Sequence, residues 1–252
     1  MSLLGDWLLA NKLSLSIGHN KDTKYSFFSP HKINTQQLPT LKIFNIEILR
    51  TPSVKYLGVY LDEKLTFENH IKHLESKINK YTGIFYNIRS QLPLTALKMV
   101  YFSFIFSNIF YCADIYGNTH SKFIEGLQKV HNKSLRALQN KNRYYPVNQL
   151  HKDYNVLKVK DVIFYKSMLN IFNIINNPQS VPNIIVDQIT LNPHQYPTRS
   201  KRPLMVKSNN TVFGSKLMSG IWSRIWNSLP DSIQKRHPKK HSKNFWDRSL
   251  TI

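Results

Sequence analysis

The chain has 252 residues, 41% of them apolar and 19% charged, a balance that supports a packed core and excludes wholesale disorder. Lys and Arg number 35 against 14 Asp and Glu, for a net charge of +21; so basic a chain repels itself when compact unless it meets a polyanion, which makes nucleic acid the expected partner and an anionic membrane surface the second. A single cysteine, Cys112, excludes an internal disulfide and a cysteine-based zinc site.

The N-terminus carries no basic segment ahead of an apolar stretch, so no signal peptide is expected, and the expected location is nucleus or cytoplasm. Residues 3–15 predict a short amphipathic helix ending near Asn11 or Lys12. Three strands are expected next, at Tyr25–Phe28, Leu41–Leu49 and Val54–Leu61, the second with Phe44, Ile46 and Ile48 on one face. Pro30 and Pro39 fence the first connection, and Pro52 suits a tight turn in the second.

The rest reads as helical. Thr66 is placed to cap a helix running to about Arg89, with Ile71, Leu74, Ile78, Tyr81, Phe85 and Ile88 in one continuous stripe. Pro93 suits the first turn of a helix reaching Tyr111, and Gly117-Asn118 is a break. Its apolar run, Met99 to Ile115, is interrupted by Ser103, Ser107, Asn108 and Asp114, which favours a core helix over a membrane span; no membrane partner is expected. A helix over 121–139 follows, then a polar connector through Tyr145-Pro146. A further helix begins near Asp161 and stops before Asn177-Pro178. Pro182, Pro193, Pro197 and Pro203 then break up the chain, with an extended basic loop over 192–210 and short helices at 213–227 and 242–250. The expected class is mainly helical α+β, with a small antiparallel sheet, a helical bundle and a less regular tail. The domains are drawn at 1–65, 66–180 and 181–252.

On the 121–139 helix, Lys122, Lys129, Lys133 and Arg136 fall within about 60° of arc, while Phe123, Leu127, Val130, Ser134 and Leu138 take the other side. Such a helix buries one face and presents the other to phosphate. Its one acid, Glu125, is read as lying outside the stripe. Lys72, Lys77 and Lys80 form a weaker set, diluted by Glu68 and Glu75. Arg199, Lys201, Arg202 and Lys207 form a second basic cluster, and Lys235, Arg236, His237, Lys239, Lys240, His241 and Lys243 a third. Both suit contacts to a phosphate backbone. Trp222, Trp226 and Trp246 are aromatic candidates for base stacking, but their spacing with Leu217, Ile221 and Ile225 favours core packing. His70 and His73 lack a third ligand at a familiar spacing, so no metal site is expected.

The segment Lys55-Tyr56-Leu57-Gly58-Val59, with Leu61-Asp62, Leu65-Thr66-Phe67 and His70-Ile71 after it, resembles a signature that follows the catalytic motifs of non-LTR, LINE-type (jockey-like) retrotransposon reverse transcriptases. Trp7 and Asn11-Lys12-Leu13-Ser14-Leu15 are similar to that family's stretch just past the active site. Further landmarks follow in order: Leu92-Pro93, Tyr111-Cys112, Tyr116-Gly117, Tyr196-Pro197-Thr198-Arg199, and Trp226-Asn227 with Leu229-Pro230. Ser16 departs from the family's asparagine, and Lys21 and Lys24 both remain counterparts of its post-active-site lysine.

The resemblance implies the rear of a palm over residues 1–65, then a thumb and a C-terminal extension. It implies a primer-gripping hairpin at Lys55, Tyr56, Leu57 and Gly58, and an RNA/DNA template-primer as partner. The family's RNA-directed DNA polymerisation uses paired magnesium ions held by an aspartate in one motif and an Asp-Asp pair in another. This sequence has no Asp-Asp pair. Its one adjacent acidic pair, Asp62-Glu63, reads as helix-start chemistry. No catalytic residue, metal ligand or cofactor is therefore expected here. The expected role is a catalytically inert fragment that holds nucleic acid. A co-opted stand-alone nucleic-acid-binding protein and, behind it, a membrane-associated protein are the alternatives.

Overall fold

The computed structural model describes residues 2–17, 23–29, 38, 40–192, 203–207, 210–211, 214 and 218–234. They fall into two compact units, residues 1–73 and 74–252. The fold is the mainly helical α+β class that the sequence predicts.

The first unit opens with α1, Ser2–Ala10. The Asn11 side chain donates to Trp7 O, and Lys12 turns to φ 55°, which ends the helix. Six short strands follow: β1 (Lys24–Tyr25), β2 (Lys42–Ile43), β3 (Ile46–Glu47), β4 (Leu49–Arg50), β5 (Ser53–Tyr56) and β6 (Val59–Asp62). β1 pairs with β4 in parallel; β2–β3 and β5–β6 are antiparallel hairpins.

Two expected strands are thus hairpins. The 41–49 run turns at Phe44 and Asn45, both at positive φ, which is the turn geometry that matches strand twist. Phe44 and Ile46 stay exposed while Ile43 and Ile48 are buried, so the alternation did not describe one face. The 54–61 run turns likewise at Leu57 (φ 45°) and Gly58 (φ 84°).

Asp62 ends β6 and organises the next turn. Its carboxylate accepts from the backbone N–H of Lys64 (3.2 Å), Thr66 (2.9 Å) and Phe67 (2.7 Å), while Glu63 pairs with Arg50. Asp62 thus holds the turn that leads into the helix, whereas Glu63 does not start a helix but pairs with a strand residue. The helix itself, α2 (Glu68–Ile88), begins after Phe67 rather than directly after Thr66, because Phe67 sits at φ 56°.

The second unit starts within α2 and continues through α3 (Leu94–Tyr101), a π-helical stretch Phe102–Phe106, α4 (Ser107–Phe110), α5 (Ala113–Tyr116), α6 (Ser121–Leu138), α7 (Val147–Tyr154) and α8 (Val159–Asn176). A 3-10 turn, Pro178–Ser180, leads to α9 (Asn183–Val186), and α10 (Met218–Ser228) and α11 (Asp231–Gln234) close the described chain. Helix α7 falls between the polar connector and Asp161, where no element was expected. The expected 242–250 helix lies outside the described residues.

Two positions show how the second unit closes. Cys112 adopts φ 52° and turns the chain from α4 into α5. At Gly117 a Cβ would come within 2.4 Å of Ala113 O and of Ile163 Cγ2, so only glycine lets this backbone approach α8. Leu74, Ile78 and Phe85 bury the α2 stripe, at about 1.5–3 kcal/mol each, and the Thr82 hydroxyl meets Ser134 on α6 at 2.5 Å.

A polar chain runs through this core. Val159 N–H donates to Gln128 Oε1 at 2.7 Å, which obliges the Gln128 amide nitrogen to donate to Asn132 Oδ1 (2.8 Å); His151 Nε2 lies 2.9 Å from that oxygen. One backbone donor thereby orients three side chains and ties α6, α7 and α8 together. The tail adds a second cluster, with Trp222 and Trp226 packed on Ile171, Ile174 and Leu204. The Asn227 amide pairs with Leu204 N and O at 3.1 and 2.8 Å, as a strand residue would. Among the described residues, no helix is long and apolar enough to cross a membrane.

Candidate nucleic-acid interface

Helix α6 is the most regular part of the candidate surface. Ile124, Leu127, His131, Ser134, Leu135 and Leu138 are buried on one side. Because the partners of α2, α7 and α8 occupy that side, Lys122, Lys129 and Lys133 are left exposed. Lys122 Nζ lies 4.7 Å from the Phe123 ring centroid, and Lys133 reaches Asn79 Oδ1 at 3.4 Å. Arg136 behaves differently. It is half-buried, and its Nη2 donates to Tyr145 O at 3.1 Å, so its charge is partly committed to the turn after the helix.

Glu125 is also exposed. At about 100° per residue it lies about 40° from Lys129 and about 20° from Arg136 in azimuth. Glu125 thus lies about 20° beyond the Arg136 side of the stripe and flanks it as an exposed acid. On α2, Lys72 is paired with Glu68 at 2.7 Å, Lys77 is half-buried and Lys80 is exposed.

The hairpin β5–β6 belongs to the first unit. Tyr56 and Leu57, at its tip, are 63% and 73% exposed. Leu57 adopts a left-handed conformation that costs a side-chain-bearing residue about 1–2 kcal/mol, and Gly58 adopts one that costs glycine nothing. An aliphatic residue held in that region at an exposed tip is the kind of outlier found at functional sites. Lys55 is exposed, with Nζ 5.6 Å from the Tyr60 ring centroid; Tyr60 in turn packs against His73 at 5.1 Å.

Arg199, Lys201 and Arg202 lie outside the described residues, as does the 235–243 cluster; Lys207 is described and exposed. Trp222 and Trp226 are core residues and present no ring to a base, because their faces are used against Ile171, Ile174 and Leu204. Trp246 lies outside the described residues. His70 is buried and held down to about 4 by burial and by His73.

The adjacent acidic pair Asp62-Glu63 is taken up by contacts within the first unit. Asp62 is engaged by three backbone N–H groups and Glu63 by Arg50. Among the described residues, no three His, Cys, Asp or Glu side chains converge.

Sequence reasoning missed the turn between α6 and α7. Residues 140–146 read as a polar connector, yet Tyr144 is 89% exposed and is flanked by exposed Lys141 and Arg143. The signal was present as aromatics interleaved with cations, Lys141-Asn142-Arg143-Tyr144-Tyr145.

Comparison with known proteins finds distant relatives among polymerases of mobile elements. The chain is 24% identical over 157 residues to a probable RNA-directed DNA polymerase from transposon X-element of Drosophila melanogaster, covering 61% of this chain and 17% of that protein. It is 26% identical over 158 residues to the RNA-directed DNA polymerase from mobile element jockey of Drosophila funebris, again 61% and 17%. The jockey polymerase of Drosophila melanogaster is 27% identical over 111 residues, 42% of this chain and 12% of that protein. The match thus spans less than a fifth of the length of these LINE-type relatives. No protein-family profile matches the chain. No solved structure matches it.

Proposed function

We propose that this chain is a nucleic-acid-holding part of a LINE-type RNA-directed DNA polymerase, and that alone it does not polymerise. The observation that carries the reading is the α6 face. Three exposed lysines, the first and last 11 residues apart and about 16 Å along the helix, are backed by a buried face that leaves them on the solvent side. Distant homology to mobile-element polymerases supplies the polyanion such a face would meet.

In this reading residues 1–65 form the rear of a palm, the hairpin tip at Lys55, Tyr56, Leu57 and Gly58 touches the primer end, and the helices over 66–180 form a thumb. Residues 181–252 are a C-terminal extension, whose Arg199, Lys201 and Arg202 add phosphate contacts. The paired metal ions of the reaction would be held by carboxylates that this sequence does not supply, since it contains no Asp-Asp pair. The lysines contribute affinity without reading bases, because phosphate contacts position a nucleic acid and carry no sequence information.

The test is a salt titration of duplex binding by the full chain. Lys122→Gln, Lys129→Gln and Lys133→Gln together should flatten the slope of log K against log salt by about 3, since each neutralised phosphate contact contributes about 0.9. An unchanged slope removes α6 from the interface. In a primer-extension assay with magnesium the same chain should give no product, and a product would overturn the inert part of the reading.

A further inference from the structure

The turn between α6 and α7 is built as a fixed platform rather than a slack connector. Helix α6 ends with Asn140 at φ 53°, while Lys141 N–H returns to Arg136 O at 3.0 Å and Asn140 N–H to Ala137 O at 3.4 Å, the paired bonds of a Schellman cap. The Tyr144 N–H then donates to Asn142 Oδ1 at 3.1 Å, and Tyr145 N–H to Asn142 O at 3.3 Å. Arg136 holds Tyr145 O from the α6 side, and the Tyr145 hydroxyl donates to Asp153 Oδ2 at 2.6 Å on α7. Lys141 Nζ sits 4.6 Å from the Tyr145 ring centroid. Tyr145 is thus pinned from both sides, and the adjacent Tyr144 is left standing in solvent.

Tyr144 is 89% exposed, so its ring gains almost nothing from burial in the fold. Between Arg136 and Lys152 there are four cations, Arg136, Lys141, Arg143 and Lys152, and no acid. The next residue, Asp153, has its oxygens engaged by Tyr145 and by Gln149, which donates at 2.6 Å. Arg136 also joins this turn to the lysine face, so exposed cations lead along α6 toward the free ring. Exposed aromatic surface beside a cationic track is what an unpaired base with its phosphates requires, because every base has a stacking face. A blunt duplex has its bases already stacked and offers only phosphates.

We propose that Tyr144 is a stacking site for an unpaired base of single-stranded nucleic acid, with Lys141 and Arg143 on the flanking phosphates. This rests on the nucleic-acid reading above and adds to it a preference for strand state at one ring.

The experiment compares binding of the full chain to a labelled single strand of about 16 nucleotides and to a blunt duplex of the same length. Tyr144→Ala should weaken single-strand binding about 5- to 150-fold, leave duplex binding unchanged and leave the melting temperature unchanged. Tyr144→Phe should restore single-strand binding. Lys141→Gln with Arg143→Gln should weaken both ligands. Unaltered single-strand binding by Tyr144→Ala, or equal loss on both ligands, overturns the site while duplex binding by the wild type still upholds the broader reading. Wild-type protein that binds neither nucleic acid sinks both, as does a Tyr144-dependent preference for phosphatidylserine vesicles over oligonucleotides.

Discussion

His131 is fully buried on α6, with Nε2 2.9 Å from the Tyr101 hydroxyl. Burial pushes the Tyr101 phenol far above its ordinary range, so it stays protonated and shares a hydrogen bond with a neutral imidazole. Burial, with His151 beside it, holds His131 down to about 3. In the unfolded chain the same histidine protonates near 6.5. The unfolded state therefore takes up the proton first as pH falls, and the stability attached to neutral His131 is complete above about 6.5 and is lost progressively from there toward 3. The urea midpoint of the second unit should fall between pH 7 and pH 4, and His131→Gln, which cannot titrate, should show a shallower fall. Asp62 offers a second test at this scale. With three backbone N–H groups on its carboxylate, Asp62→Ala should cost about 1–2 kcal/mol, read as a lower denaturant midpoint.

Helix α6 looks uniform when projected from its sequence but is not uniform in its setting. Lys133 is an exposed cation with one long contact, whereas Arg136 fastens the following turn. Arg136→Gln should therefore destabilise the second unit by about 1.5–3 kcal/mol, the range for a hydrogen bond from a charged donor. Lys133→Gln should stay within about 0.5 kcal/mol. Equal urea midpoints for the two variants would show that the bond to Tyr145 O contributes nothing. The longest helices were legible because burial on one side imposes a period near 3.6, and α2 and α6 keep it for 18 residues or more. The hairpins were not, since a turn at Phe44-Asn45 or Leu57-Gly58 leaves an apolar run unbroken. Helix α7 was missed because its eight residues make only about two turns, too short a run for the period to repeat. The π-helical stretch at 102–106 is likewise silent in sequence, being a change of hydrogen-bond register among apolar residues.

At the scale of the molecule, the two units differ in how they are built. Among the described residues, the first unit holds strands of two to four residues and few buried side chains, whereas the second is built of packed helices. Isolated hairpins are marginal without a third strand or a helix on one face. Amide exchange should accordingly be faster over the hairpins β2–β3 and β5–β6 than over α6 and α8; protection of the hairpins equal to that of α8 would contradict this.

Net charge, the helical stripes and the order of the landmark residues are properties of the chain read locally, and they sufficed for the fold class and for the expectation of a polyanion partner. Several landmarks prove to be packing devices. Tyr116 is buried with its hydroxyl on Ile109 O, Gly117 admits α8, and Trp226 and Asn227 close the tail onto Leu204. Tertiary structure alone decided which cations face solvent, which histidines lie in the core and that Tyr144 stands free. Exposure depends on what packs from elsewhere in the chain, and no local pattern of residues encodes where its distant neighbours will lie.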